Sequence, residues 1–206
     1  ILKLNFASSS VAFTNFPCAL VPNELFIEEN SKEILELTTD VYEIIKSDAL
    51  TVTDAHLIYT FPSQINDIIF TFFPDAKQKA QQSILIEQFS KSNNKDNNAY
   101  LYICNNILNI TAFKNGKLIF NNSFKFDAKE DVLYFTLFAF EQLKIDTETV
   151  NTKLYGEIIK GDENHQLLYK YIRNVEFGLR PSNLNFSSEF NELKCHQFYA
   201  LFSQTI

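Results

Sequence analysis

The sequence predicts an α/β fold built as two similar halves, each a mixed β-sheet covered by helices. Three observations carry that expectation. Strand-type and helix-type periodicities alternate along the chain, which lays helices over sheets that include parallel strands. An Asn-Gly pair, Asn115-Gly116, marks a tight hairpin in the second half. The run Ser90–Asn98 contains no apolar residue and reads as the linker between the halves.

The second half has the cleaner pattern. Tyr100–Cys104 is apolar and β-prone, and Ile107–Phe113 alternates around Asn109 and Thr111. Both central residues of a type I′ turn need positive φ, which Asn115-Gly116 supplies, so Leu118–Phe126 pairs back. Asp127 precedes Glu130 at capping-box spacing and opens a helix carrying Val132, Phe135, Leu137, Phe138 and Phe140. That helix is apolar nearly all round and is expected to be buried between layers, with Phe135, Phe138 and Phe140 in the core. Leu154–Ile159 is a strand, Gln166–Arg173 a helix and Val175–Phe177 a last short strand. This order is the core of a ribonuclease-H-like or actin-like half-domain.

The first half echoes it. Leu2–Phe6 and Val11–Phe16 read as strands. Pro22 suits the first turn of a short helix, Asn23–Ile27. Ser31–Asp48 fits a helix through Ile34, Leu35, Val41, Ile44 and Ile45, but its β-branched residues fit a strand equally. His56–Phe61 is a strand, Pro62 and Ser63 open a helix that Pro74 stops, Ala76–Ala80 is a strand and Ser83–Lys91 a helix. The segment His56–Ala80 parallels Lys153–Phe177 in element order. The expected domains are residues 1–92, an N-terminal half lacking its first strands, and residues 93–206, a C-terminal half with a tail.

Several segments carry a family resemblance: LVPNELF (Leu20–Phe26), NGKLIFNNSFKF (Asn115–Phe126), EDVLY (Glu130–Tyr134), YGE (Tyr155–Glu157), YIRNVEF (Tyr171–Phe177) and HQFYALF (His196–Phe202). YIRNVEF and NGKL are the most specific. The chain resembles, over nearly its whole length, an uncharacterised bacterial family known as a domain of unknown function with an actin-like ATPase fold. That resemblance implies a duplicated ribonuclease-H-like (actin-like ATPase) fold, with two halves facing across a cleft and an extra strand pair before Leu2. It implies no established activity.

Composition narrows the function. The net charge is −7, so counterion release, which drives non-specific nucleic-acid binding, has little to act on. Lys77 and Lys79 form the nearest thing to a basic patch and read as a solvated edge. The three cysteines, Cys18, Cys104 and Cys195, are far apart with no CxxC pair, which suits idle thiols in a reducing compartment and predicts a cytoplasmic location. No run reaches the roughly 18 apolar residues of a membrane helix. Ile1–Ser10 is too short and polar for a signal peptide.

An ATPase of the actin-like kind needs a D-x-G turn after the first strand of a half, where glycine admits phosphate to backbone amides and the acid positions Mg²⁺. Here that turn is Cys104-Asn105-Asn106. The chain has four glycines, Gly116, Gly156, Gly161 and Gly178, and they build no phosphate cradle by the usual recipe. A ribonuclease-H-type nuclease needs acids converging on two metals, and the first strand of this half holds none. The resemblance implies a glycine where adenosine approaches the cleft, which Gly156-Glu157 supplies, with Asn105 and Asn106 as hydrogen-bond donors along the same cleft; the candidate ligand residues are Asn105, Asn106, Gly156 and Glu157. Turn formation accounts for the asparagines, and a bulge or close packing for Gly156.

His56, His165 and His196 lack a partner at metal-ligand spacing. The adjacent Cys195 and His196 point apart. Phe190, Phe198, Tyr199 and Phe202 either dock the terminal segment on the core or present a partner surface. Arg173 and Arg180 are the only arginines; Arg173 complements a helix C-terminus. Two functions fit these residues. The first is a non-enzymatic interaction or scaffold protein on a degenerate fold, binding another protein and using no cofactor or metal. The alternative is a nucleotide- or small-ligand-binding protein that uses the cleft between the halves, where ATP and Mg²⁺ lack supporting motifs.

Overall fold

The computed structural model describes residues 7–92 and 96–204. The expected strand Leu2–Phe6 and residues 93–95 of the expected linker lie outside the described residues. Two compact units make up the chain, residues 1–87 with 204–206, and residues 88–203.

In the first unit, β1 (Ser10–Phe13) pairs in parallel with β5 (Lys77–Ala80). A separate antiparallel sheet has the order β2 (Cys18–Pro22), β4 (Ala55–Phe61), β3 (Ile44–Leu50). The ambiguous segment Ser31–Asp48 resolves into both readings: helix α1 (Ser31–Glu36) and then strand β3. After Pro22 the chain makes a single 3₁₀ turn, Asn23–Leu25, and not the expected longer helix. Pro62 precedes α2 (Ser63–Phe72), and α3 spans Gln81–Ser92. β4 is the middle strand and is buried nearly throughout. Ile58 packs with Val21 and Leu35, while Phe61 stacks on Phe13 at 4.1 Å. Asp48 on β3 is buried too; its carboxylate accepts the Ala80 N–H at 2.8 Å and the Tyr59 hydroxyl at 3.4 Å.

In the second unit, β6 (Asn98–Cys104), β7 (Ile107–Lys114) and β8 (Lys117–Lys125) form an antiparallel meander. α4 (Lys129–Gln142) leads to β9 (Asn151–Gly156), parallel to β6. α5 (Glu163–Tyr171) leads to β10 (Asn174–Phe177), parallel to β9. The sheet order is β10-β9-β6-β7-β8. Asn115 and Gly116 have φ of 51° and 80°, the expected two-residue turn. Leu101, Ile103, Ile110 and Leu154 face a core shared with Val132 and Phe140 of α4 and Leu168 of α5. On the alternate positions, Tyr100 stacks on Phe89 of α3 at 4.3 Å, and Tyr155 meets Tyr199 of α6 (Tyr199–Phe202) at 4.4 Å.

Three expectations are corrected. Ser90–Asn98 is not wholly a linker, because the last turn of α3 extends to Ser92, anchored by fully buried Phe89, and Asn98 opens β6. The parallel between His56–Ala80 and Lys153–Phe177 holds in element order, β4-α2-β5 against β9-α5-β10, but not in pairing: β4 and β5 lie in different sheets, whereas β9 and β10 are neighbours. Phe138 is 45% exposed and Tyr134 60%. α4 docks through Val132, Thr136, Ala139 and Phe140, one stripe at helical spacing, which turns Tyr134 and Phe138 outward. Phe135 is half-buried against Phe124 at 4.8 Å. The α4 cap also differs: the Asp131 carboxylate, not Glu130, accepts the Asp127 and Ala128 N–H groups, both at 3.0 Å.

Candidate functional site

All four candidate residues gather at one end of the second unit's sheet, and each position has a local cause. Cys104 pairs with Ile107, so Asn105-Asn106 is a two-residue hairpin loop. Its φ values are 49° and 58°, the left-handed pair of a type I′ turn. Asparagine tolerates that conformation best after glycine. Asn106 also accepts the Phe126 N–H at 3.0 Å.

Gly156 ends β9 with φ 84°. A Cβ there would lie 2.0 Å from the Ile103 carbonyl oxygen. Close backbone approach therefore explains this glycine. Its N–H donates to the His196 carbonyl at 3.0 Å, and the Glu157 N–H donates to Ile103 at 2.7 Å.

The Glu157 side chain then folds back over the loop. One carboxylate oxygen accepts the Asn105 N–H at 2.9 Å, and the other lies 4.0 Å from Cys104 Sγ. Burial, with the neighbouring Glu157 charge, pushes the Cys104 thiol up. The turn amide is thus satisfied by an internal anion, in the place where an ATPase of this kind would offer an amide to phosphate. A phosphate arriving there meets a carboxylate of the same sign.

The remaining residues have packing roles. His196 is buried, and its Nε2–H donates to the Ile158 carbonyl at 2.7 Å. Desolvation holds its imidazole below the usual range. Cys195 beside it is exposed, so the two side chains diverge. His165 stacks on Phe177 at 5.2 Å and His56 on Phe26 at 3.9 Å. Burial pushes the Cys18 thiol up to about 12. Tyr199 is buried in the core, whereas Phe190 and Phe202 form an edge-to-face cluster with Phe186. Phe198 stays 51% exposed. Arg173 lies just beyond α5 and pairs with Glu148 at 3.3 Å. Among the described residues, no three His, Cys, Asp or Glu side chains gather as a metal site, and no helix is long and apolar enough to cross a membrane.

Two features escaped the sequence reading. One is the outward face of α4, where Tyr134 and Phe138 stack at 5.9 Å between Glu130 and Glu141. The other is a cavity beside β10. The signal for the first was present, since Tyr134 and Phe138 are four residues apart. The second is assembled from segments distant in sequence.

The chain is similar to a Bacteroides thetaiotaomicron protein with an actin-like ATPase fold and unknown function, at 22% identity and a TM-score of 0.79. The match covers 86% of this chain and 70% of that one. The chain therefore has an actin-like ATPase fold. No curated protein matches it. Residues 1–175 match the family model described as Protein of unknown function (DUF3822), and the chain belongs to that family.

Proposed function

We propose that this chain is a non-enzymatic interaction protein, a degenerate actin-like ATPase fold whose partner is another protein. The observation that carries this reading is the Glu157 carboxylate on the Asn105 N–H. Phosphoryl transfer depends on positioned metal and on backbone donors around the phosphates. Here the donor is occupied and the added charge is negative. A partner surface is available on α4. Leu133, Leu137, Tyr134 and Phe138 line a shallow apolar groove of about 270 Å³ rimmed by Glu130 and Glu141. An apolar helix flanked by lysine or arginine complements that rim in charge.

The test is phosphate release from ATP with and without Mg²⁺, paired with thermal unfolding. No turnover is expected. The unfolding midpoint is expected to move no further with Mg²⁺-ATP than with ATP and a chelator, although a Mg²⁺-dependent ligand at 100 times its Kd would add about 2.7 kcal/mol. Turnover that stays in constant ratio to this protein through successive purification steps overturns the reading.

A further inference from the structure

A cavity of about 460 Å³ opens on the second unit, between β10, the loop that follows it and the last turn of α3. All of its lining residues belong to residues 88–203. Its composition is unlike that of the chain. The whole sequence carries −7, yet Lys91, Lys153 and Arg180 line this one cavity against a single acid, Glu176. Lys153 is placed by strand alternation: it neighbours Tyr100 across the parallel ladder, on the face away from Leu101 and Leu154.

The walls are aromatic. Tyr155, Phe177 and Tyr199 line the cavity. Gly178 makes room for one of them, since a Cβ there would lie 2.0 Å from the Tyr155 ring. Arg180 fixes the opposite side. Its guanidinium donates to the Phe190 and Leu193 carbonyls and lies 4.8 Å over the Phe186 ring. By contrast, Lys91 and Lys153 have no ion-pair partner among the described residues. Two ammonium groups outside any ion pair, with Glu176 as the one acid in the lining, therefore stand beside aromatic side chains in a concave site. Pockets of this size with few convergent polar groups are where small ligands bind.

We propose that this cavity binds a small organic anion with a flat unsaturated body, its carboxylate or phosphate held by Lys91 and Lys153 and its ring against Tyr155 and Tyr199. The proposal is independent of the absence of ATP hydrolysis and of the α4 surface. The site is distinct from the Asn105–Glu157 cluster, which holds an anion of its own.

The experiment titrates the protein with phenyl phosphate, benzoate and neutral benzyl alcohol, followed by backbone amide chemical shifts. Saturable shifts at residues 153–155 and 176–183 are expected for at least one anion. Benzyl alcohol is expected to bind about tenfold or more weakly, and the two anions tell phosphate recognition from carboxylate recognition. Lys153→Gln and Lys91→Gln are each expected to weaken the better anion about tenfold, as loss of a charge-assisted hydrogen bond does. Lys117→Gln at the start of β8 should leave it unchanged. Each variant's unfolding midpoint is compared with wild type, and Lys91, exposed at a helix end, keeps the test open if Lys153→Gln is unstable. No saturable shift with either anion, shifts confined to other residues, or equal affinity for benzyl alcohol would overturn the proposal.

Discussion

At the scale of single residues, backbone geometry decides more than side-chain chemistry does. Gly156→Ala puts a methyl group 2.0 Å from the Ile103 oxygen at a φ of 84°. The backbone conformation alone costs a non-glycine residue about 1–3 kcal/mol, and the clash adds to it. Urea unfolding should show that loss; a change under about 0.5 kcal/mol, ordinary for a neutral surface site, would mean that β6 yields freely. Asp48 makes a second prediction. Burial holds its carboxyl above the usual carboxylate range, against the opposing pull of the Ser83, Ala80, Lys79 and Tyr59 contacts. A carboxyl raised in the folded state binds its proton more tightly there than in the unfolded chain. Wild-type stability is therefore eroded as pH climbs from about 3.9 through the raised folded value. Asp48→Asn keeps an acceptor and removes that loss, so its urea midpoint should gain on wild type across this window; parallel curves would refute the assignment. The sequence exposed Gly156 because glycines are scarce in this chain. It did not expose the contact from Glu157 to Asn105, because 52 residues separate the two.

Among the elements, α4 separates composition from burial. Phe140→Ala is expected to cost about 3–5 kcal/mol, the cost of emptying a well-packed aromatic site. Phe138→Ala should cost less than about 1 kcal/mol, as partly exposed positions do. Equal losses in urea unfolding would mean that both faces of the helix are packed. The docking surface is testable with a leucine-rich helical peptide flanked by lysines, against the same peptide flanked by glutamates. Fluorescence anisotropy should favour the lysine form, and Phe138→Glu should abolish the preference; equal binding of both peptides sinks the α4 assignment. Hairpins were the most legible elements, because Asn115-Gly116 satisfies a turn with a fixed backbone demand. The buried side of α4 was not legible, since eight apolar residues on a 14-residue helix leave no polar stripe to mark the outside. β2 was missed because its last residue, Pro22, read as the start of a helix.

For the molecule as a whole, protection should follow strand position. β6 and β7 are paired on both sides and buried along most of their length. Native-state hydrogen exchange should be slowest there and faster in β1 and β5, which have one strand partner each among the described residues. Faster exchange in β6 than in β5 would contradict that ranking. The order of elements in the second unit was readable because each one announces its own periodicity. In the first unit, β1 pairs with β5 although β2, β3 and β4 lie between them in sequence, and no local pattern encodes that partnership. The hydrogen bond from Gly156 to His196 has a consequence for biosynthesis. β9 leaves the ribosome about 40 residues ahead of the segment that completes it, a delay of roughly 2–8 s at ordinary elongation rates. During that interval the nascent chain presents Tyr155 without Tyr199 to cover it, a sticky aromatic surface of the kind that chaperones shield.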